Sequence, residues 1–226
     1  MLFAIHYFSG PAATPRKIII FRKGLNMDIL GISASPRKNS NSDKIMAQVL
    51  KSAKADGAKV LGLKLRDYTF SSCIGCEKCR KHKACTRFND GMTLIYPLIE
   101  KAHGLVWVTP VHTYNVSALL KGLIDRMYCY YDFTDTRPRG WSSRLSGQGR
   151  KAVIGCIGEQ ETPDNLGVAM PAMRLPLESH GYEIVGELTV LGVFDPGKVA
   201  QKTKIMDQAA KYGHALAAAV GTGAPG

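Results

Sequence analysis

The chain has 226 residues, 45% of them hydrophobic and 21% charged, which is globular composition and excludes disorder and fibrous repeats. No run approaches the ~18 consecutive apolar residues of a membrane span, so an integral membrane protein is excluded too. Thirty Lys and Arg against eighteen Asp and Glu leave a net charge of +12. That field favours an anionic partner (a phosphorylated cofactor, an acidic redox protein, nucleic acid) or is a solvated basic surface.

Residues 1–26 carry Arg16, Lys17, Arg22 and Lys23 and no acidic residue. The charges follow the apolar start, and no small-residue cleavage site closes a hydrophobic region. The segment therefore reads as an N-terminal extension rather than a signal peptide. Removing its four positive charges takes +12 to +8, still basic. Ile18–Phe21 is a candidate edge strand.

The domain is expected over 27–220, with a tail at 221–226. Asp28–Ser33 is a short apolar run, a buried strand. Ser42 is placed to cap a helix in which Ile45, Met46, Val49 and Leu50 recur at helical spacing until Gly57. Lys59–Leu65 alternates charged and apolar residues, as an outer strand does. A cysteine-rich loop (71–90) precedes a helix over Asp90–Lys101. Gly104–Val108 is almost wholly apolar, the pattern of a sheet covered on both faces. Ser117–Tyr128 is helical, and Phe133–Arg150, polar and rich in Arg, Ser and Gly, reads as a long loop. Lys151–Gly158 and Glu183–Val190 are the fourth and fifth strands, with a helix over Ala169–Ser179 between them. An Ala-rich helix, Val199–Val220, closes the domain. Five strands alternating with helices imply an α/β fold with a parallel sheet and right-handed crossovers.

The loop after the first strand, SASPRKNSNS (33–42), has no glycine and is not the G-x-G-x-x-G turn that approaches a pyrophosphate. It offers hydroxyls, amides, Arg37 and the open N–H groups of a helix N-terminus, which suit a terminal phosphate. The competing reading is a turn that merely caps a helix. The third strand runs into Thr109–Asn115. In open α/β sheets ligands bind where strand order reverses, here between strands one and three. A phosphate at one loop and a flat ring along the other is how such a crevice holds FMN. His112 faces either the ring or solvent. After the fourth strand only Gly158-Glu159-Gln160 offers a further contact.

Four of six cysteines, Cys73, Cys76, Cys79 and Cys85, fall within thirteen residues, while Cys129 and Cys156 stand alone in apolar surroundings as inert thiols. This is no secreted disulfide framework and implies a reducing, cytoplasmic setting. Soft thiolates select zinc or an iron–sulfur cluster. A bacterial ferredoxin run ends C-x3-C-P; here Thr86 replaces the proline and no second run exists. One centre must then use all four thiols, and the spacing suits a [4Fe–4S] cube. Zinc, which commonly uses two separated pairs, and empty or redox-sensing thiols are the alternatives. Lys78, Arg80, Lys81, Lys83 and Arg87 are expected to lower the thiol pKa values and to attract an acidic ferredoxin.

The strings SPRKNSNS, CIGCEKC and TPVHTYNVSALLKGLIDR together resemble the NADPH-dependent FMN reductase-like superfamily, and within it the iron–sulfur flavoproteins. The resemblance is close over Met27–Arg126 and extends in outline beyond. It implies a flavodoxin-like, doubly wound five-stranded sheet of order 2-1-3-4-5 with helices on both faces, tightly bound FMN, and homodimers that pair into tetramers. Carried over by position, Ser35, Arg37, Ser40, Asn41 and Ser42 hold the FMN phosphate. Thr109, Pro110, Val111, His112, Thr113, Tyr114 and Asn115 line the isoalloxazine, although His112 replaces the aromatic common in relatives. The same likeness implies a cluster on Cys73, Cys76, Cys79 and Cys85. The expected function is an FMN-dependent oxidoreductase mediating electron transfer between a [4Fe–4S] cluster and FMN, with NAD(P)H a candidate donor. The alternative is a cluster-free NAD(P)H-dependent FMN or quinone reductase. No catalytic triad is visible, in keeping with chemistry carried by cofactors, and no base-reading motif supports nucleic-acid binding.

Overall fold

The computed structural model describes residues 27–221; the expected extension at 1–26, its edge strand at Ile18–Phe21 and residues 222–226 lie outside the described residues. Strand β1 (Ile29–Ser33) leads through the first loop into α1 (Asn41–Ala55). Strand β2 (Val60–Lys64) leads through the cysteine loop, which carries the single turn α2 (Lys78–His82), into α3 (Gly91–Lys101). Strand β3 (Gly104–His112) turns back on the two-residue β4 (Asn115–Val116) before α4 (Ala118–Arg126). A ribbon of β5 (Tyr131–Phe133) and β6 (Trp141–Ser143) follows. The chain ends with β7 (Lys151–Ile157), α5 (Ala169–Ser179), β8 (Glu183–Val190) and α6 (Thr203–Val220).

The five long strands are parallel and lie in the order β2-β1-β3-β7-β8, which is 2-1-3-4-5 among themselves; β4 adds an antiparallel pair at the end of β3. Side chains alternate across a strand, so each strand feeds two cores. Ile29, Val106, Val108, Val153 and Leu188 pack under α1 and α6. Leu30, Ile32, Leu105, Trp107 and Ile154 pack under α3, α4 and α5. Leu105 to Val108 are all buried, as their unbroken apolar run requires. Helix α6 rests directly on α1 at Gly213, where a Cβ would stand 2.3 Å from the Val49 carbonyl oxygen.

Several boundaries differ from expectation. Ser40, not Ser42, caps α1: its Oγ accepts from the Asp43 N–H while the Asp43 carboxylate accepts from the Ser40 N–H, a capping box that leaves Ser42 inside the first turn. The third strand runs on to His112. Helix α4 stops at Arg126 and tightens into a 3-10 turn over Met127–Tyr130. The last helix begins at Thr203, after a separate 3-10 turn. Phe133–Arg150 is not one long loop. β6 pairs with β5, and Tyr131 at the start of β5 packs edge-on against Trp141 at 5.3 Å and stacks on His180 at 4.3 Å. Cross-strand aromatic contacts hold a ribbon that Arg, Ser and Gly conceal in the composition.

The connection into β7 rests on Arg150, which is buried. Its guanidinium donates to the carbonyls of Ile99, Glu100 and Ala102, to Gln148 and to the Tyr182 hydroxyl. The last carbonyls of α3 have no intrahelical partner, and this cation supplies one.

Candidate functional site

The C-terminal ends of β1 and β3 diverge at the strand-order reversal, and a cleft of about 140 Å³ opens there. Ser35, Arg37, Ser40, Asn41 and Ser42 line it together with Pro110, Val111 and His112. Eight of the twelve residues expected to hold a flavin therefore meet in one place. The Asn41 and Ser42 N–H groups open α1 and precede its first internal bond, and among the described residues no acceptor faces them. Behind the loop, Arg66 donates to both Asp43 carboxylate oxygens (3.0 and 2.7 Å) and to the Ser35 carbonyl (3.2 Å). Burial alone would raise the Asp43 carboxyl. Bonds from Arg66 and Ser33, the Arg66 charge and the Ser40 N–H hold it below its usual value.

The other four residues do not line the cleft. Thr109 is buried, its Oγ1 accepting from the Ser117 N–H and donating to the Pro110 carbonyl. Thr113 and Tyr114 form the two-residue tip of the β3–β4 hairpin, both with positive φ (48° and 62°). A tight hairpin whose twist matches its strands demands that backbone. Asn115 pairs with His112. Gly167 seats the tip: a Cβ there would stand 2.3 Å from the Tyr114 carbonyl oxygen. His112 is exposed at the cleft.

Four walls on β7 and beyond were not foreseen: Ile157 at the end of β7, and Val193, Phe194 and Pro196 beyond β8; Glu159, offered as a further contact, also lines the cleft. The available signal was the position of these turns at the carboxyl ends of parallel strands. Arg37, which lines the cleft, also makes contacts that were not foreseen. Its Nη1 donates to the Phe194 carbonyl at 3.2 Å, and its guanidinium lies 4.2 Å over the Phe194 ring.

The cysteine loop encloses a second cavity of about 380 Å³, lined by Cys73, Cys76, Cys79 and Cys85 with Arg126, Tyr128 and a fifth thiol, Cys129. Glu77 and Lys83 enter and leave α2 with left-handed backbone, uncommon for side chains with a Cβ. The Gly75 N–H donates to the Cys73 sulfur at 3.5 Å. Among the described residues no three His, Cys, Asp or Glu converge as a ready single-ion site. The basic rim does not lower the Cys79 thiol: burial, with the charges of Cys85, Cys73 and Cys76, pushes it up. Burial likewise pushes Cys129 up to about 12.

Both ends of this loop are tied to one buried side chain. Arg126 donates to the Ser71 carbonyl (2.8 Å) and to both Asp90 carboxylate oxygens (2.8 and 3.1 Å), and Asp90 accepts the Ser71 N–H. Arg126 ends α4, whose N-cap Ser117 donates to the Ala34 carbonyl in the first loop at 2.7 Å. One helix thus braces both loops.

The sequence profile of the NADPH-dependent FMN reductase family matches residues 27–146, which include the first loop, the β3 hairpin and the whole cysteine loop. The chain belongs to that family. An iron–sulfur flavoprotein of Archaeoglobus fulgidus is 36% identical over 98 residues, 43% of this chain and 49% of the relative, so the chain spans about half its length. An iron–sulfur flavoprotein of Methanocaldococcus jannaschii is 32% identical over 177 residues, 75% of this chain and 78% of the relative. Within the FMN reductase family the chain thus stands among the iron–sulfur flavoproteins. The solved NAD(P)H:quinone oxidoreductase from Methanothermobacter marburgensis shares the fold, with a TM-score of 0.63 and 19% identity over 84% of this chain and 98% of that one. No described helix is long and apolar enough to cross a membrane.

Proposed function

We propose that this chain is an FMN-dependent oxidoreductase that binds FMN in the β1–β3 cleft and a [4Fe–4S] cluster on the cysteine loop, and passes electrons between them. The observation that carries the reading is the ring of four thiols around one cavity, in a chain whose neighbouring cleft presents a helix N-terminus without an acceptor. Thiols spread around a cavity fit a centre with its own volume better than a point ion, whose ligands crowd to ~2.3 Å. Bound FMN supplies two- and one-electron chemistry, and the cluster supplies single electrons.

The residues then divide the work. The N–H groups of Asn41 and Ser42, the hydroxyls of Ser35 and Ser40, and Arg37 hold the phosphate, with the α1 dipole favouring its charge. Pro110, Val111 and Ile157 keep water from the ring, and the exposed His112 imidazole borders it. The Gly75 N–H, already donated to the Cys73 sulfur, would keep that bond when the sulfur serves a cluster. The rim of Lys78, Lys81 and Arg87 offers an acidic ferredoxin a complementary surface, and NAD(P)H is a second candidate donor. The exposed Tyr114, Val168 and Leu175 side chains favour assembly into homodimers or tetramers.

The test is anaerobic purification followed by a visible spectrum and assays of iron, sulfide and flavin. FMN with iron and sulfide in the ratio of the cube is expected, and Cys79→Ala should lose iron while keeping flavin. Flavin without iron would return the chain to a cluster-free reductase. A colourless chain that refuses FMN would overturn both readings.

A further inference from the structure

We propose that Phe194 is a positioning residue for Arg37 and, through it, sets the preference of the cleft for a flavin that ends in a phosphate. The inference rests on the FMN reading above and names a determinant of specificity within that site.

Beyond β8 the chain turns back over the first loop, and Asn41 pins it there. The Asn41 Nδ2 donates to the Asp195 carbonyl at 3.0 Å, and its Oδ1 accepts the Val199 N–H at 3.1 Å. The Asn41 side chain is thus committed to the turn, and only its backbone N–H remains for an anion. The turn delivers Phe194, a large apolar side chain left 51% exposed. Arg37 lies over its ring. The guanidinium lies on the ring face at 4.2 Å while Nη1 is held by the carbonyl of the same residue. Among the described residues no bond engages Arg37 Nε or Nη2. A solvated arginine loses considerable rotamer entropy when an anion fixes it. Here ring and carbonyl hold the guanidinium plane before the anion arrives, with two nitrogens still to offer.

The experiment titrates the full-length chain, freed of flavin, with FMN and with riboflavin by fluorescence quenching. Wild type should prefer FMN. Phe194→Ala and Phe194→Leu should reduce that preference about two- to fivefold, the scale of one exposed cation–π contact, by weakening FMN more than riboflavin, which meets the same wall. Phe194→Trp should retain it. In an Arg37→Ala background, Phe194→Ala should add nothing, since coupled residues are not additive. Wild-type preference in the leucine variant, equal weakening of both flavins, or an undiminished effect without Arg37 would each overturn the proposal. A wild type indifferent to the phosphate would overturn the placing of FMN itself.

Discussion

Asp43 is an acidic side chain in the first turn of α1, beside the cleft proposed to hold a phosphate, and its partners explain how it is tolerated. It accepts from Ser33 Oγ, the Ser40 N–H and Arg66, so its charge is spent inward. Arg66→Met should leave that buried carboxylate unpaired and cost about 3 kcal/mol in urea unfolding. Because the Asp43 carboxyl is held below its unfolded value, its stabilisation is complete above about pH 4 and lost as pH falls through the folded pKa. In Asp43→Asn that acid limb should flatten. The cap was legible: Ser40-Asn41-Ser42-Asp43 is an S-x-x-D capping box, and only the neighbouring hydroxyls drew attention to Ser42. Arg66 was not legible, because nothing local links it to a carboxylate 23 residues earlier.

Helix α4 has nine residues, so it spans about 14 Å. Its N-cap is bonded to the loop after β1 and its last residue to both ends of the cysteine loop. Arg126→Met keeps the volume and removes those bonds. Iron retention should fall and proteolytic cleavage within 71–90 should rise, while FMN affinity stays near wild type. Equal loss of flavin and iron would show instead that the whole helix had collapsed. Strands, helices and the cysteine motif could be read from local pattern because periodicity and spacing carry them, whereas the strand order came from the family resemblance. The Arg126–Asp90 clamp spans 36 residues and exists only once α3 and α4 pack on the same sheet face. The β5–β6 ribbon escaped notice for the same reason: its support is His180, far along the chain.

Across the whole molecule, that histidine should govern the response to mild acid. Burial lowers His180 from 6.5 to about 4, and its Nδ1 meets Ser143 Oγ at 2.9 Å. The unfolded chain binds the proton first, so stability falls as pH drops from 6.5 toward 4, by about 3 kcal/mol if no other group compensates. Thermal unfolding measured across that interval should show the slope in wild type and lose most of it in His180→Phe. The net charge of +12 adds self-repulsion that grows as carboxylates protonate, so the slope should continue below pH 4 in both proteins.

The buried guanidinium at the start of β7 has a consequence for which letter can stand there. All three of its nitrogens meet acceptors, the carbonyl end of one helix and two side chains beyond it, and no carboxylate is among them. Lysine would bring the same sign but only a compact ammonium, too small to serve a fan of oxygens at once. Position 150 is therefore dictated by the planar shape of its head group rather than by electrostatics, and swapping one base for another there would be no conservative change.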